Sequence, residues 1–141
     1  MMSEGVPTRH QHAVLIVEDS DVARESLGLL LQMEGHRVAT APSGLEALHL
    51  MHTLRFRPCV IVADIIMPKM DGLTMRAEQL RYPELASIPV IALTGHEGLR
   101  RHALDQGFAA ALLKPCDFEE LFALLERTCR ETRPVGLAKR A

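Results

Sequence analysis

Excess charge of either sign is missing from this chain of 141 residues: sixteen Lys and Arg stand against eighteen Asp and Glu, for a net charge of -2. That balance excludes the basic footprint of a protein that neutralises many nucleic-acid phosphates, so direct nucleic-acid binding is not expected. Cysteine is scarce too. Cys59, Cys116 and Cys129 are odd in number and have no C-x-x-C spacing, so they read as reduced thiols acting as apolar filler in a cytoplasmic protein. The early apolar run 13–17 is too short for a signal-peptide core or a membrane span, which argues against membrane insertion. Internal repeats and low-complexity tracts are absent. What is present, 48% hydrophobic and 24% charged residues with nine Gly and eight Pro, is the composition of an ordinary globular domain. A chain of this size buries roughly two-thirds of its unfolded surface, enough for one self-sufficient core.

Residues 1–12 lack apolar periodicity and contain Gly5 and Pro7, so they read as a flexible leader with His10 and His12 in solvent. The run 13–17 stops at Glu18, Asp19 and Ser20, as a strand buried on both faces would. Val22, Ser26, Leu29, Leu30 and Met33 then recur at helical spacing, with Ser20 as N-cap and Gly35 past the end. Residues 36–41 form a modest strand. Ser43 and Glu46 make a capping box for a second helix opening near Gly44, with Leu45, Leu48 and Met51 as its apolar stripe. A buried run 59–63 ends on Asp64, a helix follows over about 73–81, and Pro83 and Pro89 bracket a connection. Residues 90–93 end on Thr94, a weak helix spans about 99–106, and 108–113 lead into Lys114 and Pro115. Asp117 caps a last helix whose stripe is Phe118, Leu121, Phe122, Leu125 and Cys129. Five strands alternating with five helices specify a three-layer, doubly wound α/β fold with an open parallel sheet.

Ligands of such sheets bind beyond the carboxyl ends of the strands. The residues there are Glu18, Asp19, Asp64, Thr94 and Lys114, each following an apolar run, and together they face one crevice. Three close carboxylates repel one another unless Lys114 or a cation compensates, and carboxylate oxygens with a few waters suit Mg²⁺. A hard cation beside a carboxylate, a hydroxyl and an ammonium is equipment for phosphoryl chemistry.

The ordered set Val17-Glu18-Asp19, Asp64-Ile65-Ile66-Met67-Pro68-Lys69-Met70-Asp71-Gly72, Thr94-Gly95 and Lys114-Pro115 resembles the receiver domain of bacterial two-component response regulators, with a flavodoxin-like fold. The resemblance covers residues 13–130, leaving 1–12 as leader and 131–141 as a loose, mildly basic tail. It implies that Asp64 accepts a phosphoryl group from a histidine kinase or phosphotransfer protein. It also implies that Glu18, Asp19, Asp64 and the backbone carbonyl of Ile66 hold Mg²⁺, Glu18 through water, and that Thr94 and Lys114 bind phosphoryl oxygens. Gly95 would keep the approach open, and Pro115 resembles the family's cis-prolyl residue, which turns the lysine inward.

The match fails at one place. Receivers usually carry Tyr or Phe three residues before the lysine, where this chain has Ala111, so the usual aromatic relay is absent. Phe108 reads as core rather than as its substitute. Phosphorylation is still expected to move the loop after Thr94 and its following helix. Ile66 and His96 flank the path of a hydrolytic water, Ile66 as a shield and His96 in solvent. His49 with His52, the Arg100-Arg101-His102 run and the Met67 and Met70 pair are read as solvated faces or loop packing. About eleven residues, 131–141, follow the last helix, so output is expected to pass to a partner protein through the face around the fourth helix, fifth strand and fifth helix. The receiver stands alone or belongs to a hybrid kinase, and homodimerisation stays open. The rivals are a pseudo-receiver, opposed by the intact Asp19, Asp64, Thr94 and Lys114 set, and a Mg²⁺-dependent phosphatase or nucleotide-binding enzyme. The latter lacks a Gly-rich phosphate loop after the first strand and a general acid beside Asp64.

Overall fold

A computed structural model describes residues 12–132. Strands β1 (Ala13–Val17), β2 (Arg37–Ala41), β3 (Val60–Asp64), β4 (Val90–Thr94) and β5 (Ala110–Leu113) form one parallel sheet in the order β2-β1-β3-β4-β5. The central β3 and β4 are buried along their whole length, which is why they read as unbroken apolar runs. Alternate strand residues feed two cores. Leu15, Val17, Ile61, Ala63, Val90 and Ala92 pack on one face, and Val14, Ile16, Val60, Val62, Ile91 and Leu93 on the other.

Helices α1 (Asp21–Met33) and α6 (Phe118–Thr132) cover the second face, with Leu27, Leu31, Leu121 and Leu125. Helices α2 (Gly44–His52), α3 (Gly72–Gln79), α4 (Pro83–Ala86) and α5 (Glu97–Asp105) cover the first, with Leu48, Met51, Met75, Leu85 and Ala103. The three-layer, doubly wound architecture agrees with the sequence reading. The caps at Ser20, Ser43 and Asp71 each accept a backbone N–H from the first turn, from Ala23, Glu46 and Thr74.

Three local readings are corrected. Among the described residues there are six helices, not five, because Pro83–Ala86 forms a single turn, with proline at its favoured first position and Leu85 fully buried. The inward face of α1 is Leu27, Gly28 and Leu31, whereas Val22, Leu29 and Met33 are exposed. Leu45 also faces solvent, and Ala47 joins Leu48 and Met51 inside α2. Phe108 is buried just before β5, as a core residue. Residues 1–11 and 133–141, most of the expected leader and tail, lie outside the described residues.

Gln79 is a buried polar residue that no periodicity flags. Its Nε2 donates to the carbonyls of Leu85 (2.8 Å) and Ile88 (2.9 Å), and its Oε1 accepts from Arg76 Nη1 (3.0 Å). Together they tie α3 to the turn before β4. Gln79→Leu removes one donor from each of the Leu85 and Ile88 carbonyls, which keep the Ile88 N–H and Arg76 as partners, and is expected to lower unfolding free energy by about 0.5–1.5 kcal/mol in urea titrations. An unchanged midpoint would contradict that account.

Candidate functional site

Strand order reverses between β1 and β3, and the crevice beyond their carboxyl ends is where a doubly wound sheet holds its ligand. The chain delivers the polar residues there. Glu18 follows the last residue of β1, Asp64 ends β3, Thr94 ends β4 and Lys114 follows β5. Lys114 Nζ donates to both Glu18 Oε1 and Asp64 Oδ2, at 3.1 Å each. Glu18 is fixed on its other side: its Oε2 accepts the Ser20 N–H at 3.0 Å, while its backbone carbonyl accepts from Arg24 at 2.9 Å. Asp19 is exposed, and one carboxylate oxygen from each of Glu18, Asp19 and Asp64 lies within 4.8 Å of the others.

Burial raises the Asp64 carboxyl above its ordinary range, and the neighbouring Glu18 adds to the rise, more than Lys114 offsets. Burial also works against the Lys114 ammonium, but its hydrogen bond to Glu18 and the charge of Asp64 hold its pKa above the usual value. The Asp64 carboxylate is thus under-compensated while the lysine stays charged. Three carboxylates against one ammonium leave two negative charges, the complement of a divalent ion. An all-oxygen donor set with that charge and spacing fits Mg²⁺.

The loop after β3 is shaped around the same carboxylate. Gly72 N donates to the Ile65 carbonyl at 2.8 Å, and a Cβ on Gly72 would lie 2.5 Å from the Asp64 carbonyl oxygen, so only glycine permits this approach. Lys69 takes a left-handed φ of 66° within the turn, and the Lys114–Pro115 peptide is cis. Thr94 is buried, and its Oγ1 accepts the His96 N–H at 3.3 Å, which links β4 to the N-cap of α5. A Cβ on Gly95 would meet nothing within 4 Å, so this side of the crevice is open.

The family model described as the response regulator receiver domain matches residues 14–126. The chain belongs to this family. A curated relative, response regulator MprA of Mycobacterium leprae, is 37% identical over 128 residues, which are 89% of this chain and 54% of MprA. The receiver domain of Francisella response regulator 1452 superposes with a TM-score of 0.78 at 26% identity, covering 87% of this chain and 100% of that one. The receiver domain of sensor histidine kinase PA1611 from Pseudomonas aeruginosa, solved with magnesium coordinated in its active-site cleft, gives a TM-score of 0.75 at 29% identity, covering 85% and 98%.

The remaining motifs fall into place around this receiver site. Ile66, two residues after Asp64, is 62% exposed, and His96 is exposed. Met67 is buried and Met70 packs against the core, as loop packing requires. Arg100 is held by Glu97 through two hydrogen bonds of 2.9 and 2.8 Å, and Arg101 approaches the same carboxylate at 3.5 Å. His49 is exposed, whereas His52 packs edge-on against Tyr82 with ring centroids 4.2 Å apart. Ala111, in the place of the family's aromatic, is buried beside Ala92 on β4. Sequence reading missed one cluster. His12 is buried rather than solvated, and Cys59 and Cys129, read as filler, lie beside it. Among the described residues no helix is long and apolar enough to cross a membrane.

Proposed function

We propose that the chain is a phosphoacceptor receiver in a phosphorelay, with Asp64 the residue phosphorylated by a histidine kinase or phosphotransfer protein. The observation that carries this reading is the bridging of Glu18 and Asp64 by Lys114 at 3.1 Å, with Asp19 alongside. Asp64 supplies the nucleophile: a carboxylate oxygen bonds to phosphorus as the P–N bond of phosphohistidine breaks, and the leaving imidazole keeps the electron pair. Glu18, Asp19, Asp64 and the Ile66 carbonyl would hold Mg²⁺. That ion, when bound, neutralises charge on the phosphoryl oxygens and keeps Asp64 ionised. Lys114, released from sharing its protons between two carboxylates, would pair with one phosphoryl oxygen. Thr94 already accepts from the His96 amide through its oxygen, so its hydroxyl proton is free to be donated to another.

The same hydrogen bond offers a route outward without an aromatic relay, because a shift of Thr94 pulls on the N-cap of α5. The output face would then comprise α5, the edge strand β5 and α6, where Leu104, Leu113 and Phe118 are exposed. A downstream protein would read it. The chain spans about half of MprA, so the output and partners of a longer regulator are not carried over. The role is that of a signalling phosphoacceptor and not of an independent metabolic enzyme, since the chemistry alters the protein itself.

Incubating the chain with acetyl phosphate and Mg²⁺ tests the reading by intact mass. One acid-stable, base-labile phosphoryl group is expected with Mg²⁺ and none in excess chelator; no increment in either condition would refute it. The exposed Ile66 should shield the acyl phosphate from water. Ile66→Asn, which can orient a water, is expected to shorten the phosphorylated half-life about tenfold, equivalent to ~1.4 kcal/mol of barrier. An unchanged decay rate would remove the shield from the account.

A further inference from the structure

We infer that His12, Cys59 and Cys129 form a zinc-type metal site at the pole of the sheet opposite Asp64. His12 immediately precedes β1, Cys59 immediately precedes β3, and Cys129 lies on α6. The five-residue strands between this pole and the acidic crevice are about 16 Å long, so the two sites share no ligand. One donor atom from each of the three residues lies within 4.8 Å of the other two.

The backbone holds the cluster in place. Cys59 N donates to the Ala13 carbonyl at 2.7 Å and Arg37 N to the His12 carbonyl at 2.9 Å, extending the sheet pairing to both residues. The His12 ring stacks on His36 with centroids 5.4 Å apart, and Glu126 Oε1 lies 3.4 Å from His12 Nε2. A carboxylate beside a ligating imidazole fixes its orientation and basicity in metal sites. Tetrahedral zinc with bonds of about 2.0–2.3 Å sets its donors roughly 3.5–3.8 Å apart, so closing the present cluster asks for side-chain shifts of at most about 1 Å.

The chemistry of the donors selects the metal. Two thiols and an imidazole are soft to borderline ligands that suit zinc and not the hard magnesium of the crevice. Cys59 is exposed and gives a path for entry, while His12 and Cys129 are buried. The hydrogen bond from Cys129 also draws the Cys59 thiol below its ordinary range, against the effect of burial, and the thiolate is the form that binds metal. Bound metal would staple the start of β1, the start of β3 and α6 together.

Cobalt(II) added to the reduced, metal-stripped full chain tests the site, because only thiolate ligands give an intense near-ultraviolet charge-transfer band. With magnesium present to hold the acidic crevice, the expected result is one further cobalt per chain with that band, displaced by zinc but not by magnesium. Cys59→Ser, at an exposed position, should abolish the band, and zinc should raise the melting temperature of the native chain but not of this variant. Glu126→Gln should weaken cobalt binding by about 10- to 100-fold. Asp64→Asn, at the other pole, should leave the band intact. Absence of the band in the native chain, its survival in Cys59→Ser, or a reduced chain that only oxidises to a Cys59–Cys129 disulfide would overturn the assignment.

Discussion

Asp64→Asn is expected to abolish phosphoryl uptake from acetyl phosphate and Mg²⁺ while the chain stays folded. The amide has nearly the carboxylate's shape but no anionic oxygen to bond to phosphorus. It can still accept the Lys114 hydrogen bond that now runs to Asp64 Oδ2. Complete loss by intact mass, with unchanged circular dichroism, is the result that assigns the nucleophile. Retention of even half the native increment would move the phosphorylation elsewhere.

The same variant should be the more stable protein when no metal is present. Because the folded chain holds the Asp64 proton more tightly than an ordinary carboxyl at 3.8 does, the unfolded chain releases it first as pH rises. Native stability contributed by this group is therefore fully present below pH 3.8 and is lost as pH climbs through the raised folded value. In chelator at neutral pH, Asp64→Asn should show a higher urea midpoint than the native chain, and the two should converge in acid. Mg²⁺ binds the folded native site and should narrow or reverse the difference. A native chain that is the more stable of the two in chelator would contradict the electrostatics described for the crevice.

The strands and the acidic cluster were legible because they rest on signals confined to a few neighbouring residues. An apolar run that halts at a charged residue identifies both a buried strand and its carboxyl end, and the doubly wound rule converts strand ends into a common crevice. Glu18, Asp64 and Lys114 therefore meet as the sequence implied. The α1 face was misread because Leu27, Leu29, Leu30 and Leu31 surround the helix with apolar side chains. Periodicity cannot choose a phase among them. Gly28 decides it: a Cβ there would already touch Val38 at 3.7 Å and Ile16 at 3.9 Å, so this side of the helix sits closest to the sheet. Helix α4 was invisible because one turn has no period. Gln79 and the His12, Cys59 and Cys129 cluster depend on contacts between residues far apart in the chain, and no local pattern records those.

Lys114→Ala tests whether the lysine serves the transition state or merely balances the resting charge, since both roles predict tighter metal binding but only the first predicts slower transfer once magnesium is saturating. Its ammonium stays charged well past neutrality, because Glu18 and Asp64 together outweigh the effect of burial. Removing it converts a pocket with two uncompensated negative charges into one with three. Mg²⁺ should then bind more tightly in calorimetric titration. Phosphoryl transfer should nevertheless slow by about a hundredfold, the usual loss when one fixed donor to developing oxyanion charge is removed. The raised Lys114 pKa keeps this contribution present through neutral and mildly alkaline buffer, so the rate ratio between native chain and variant should stay flat there and widen in acid, where Asp64 of the variant has lost the lysine that holds its pKa down. Tighter magnesium with slower transfer would separate ground-state charge balance from transition-state binding. If Lys114→Ala were phosphorylated at the native rate with magnesium saturating, the lysine would be only a counter-ion, and the catalytic role drawn from its two 3.1 Å contacts would have to be withdrawn.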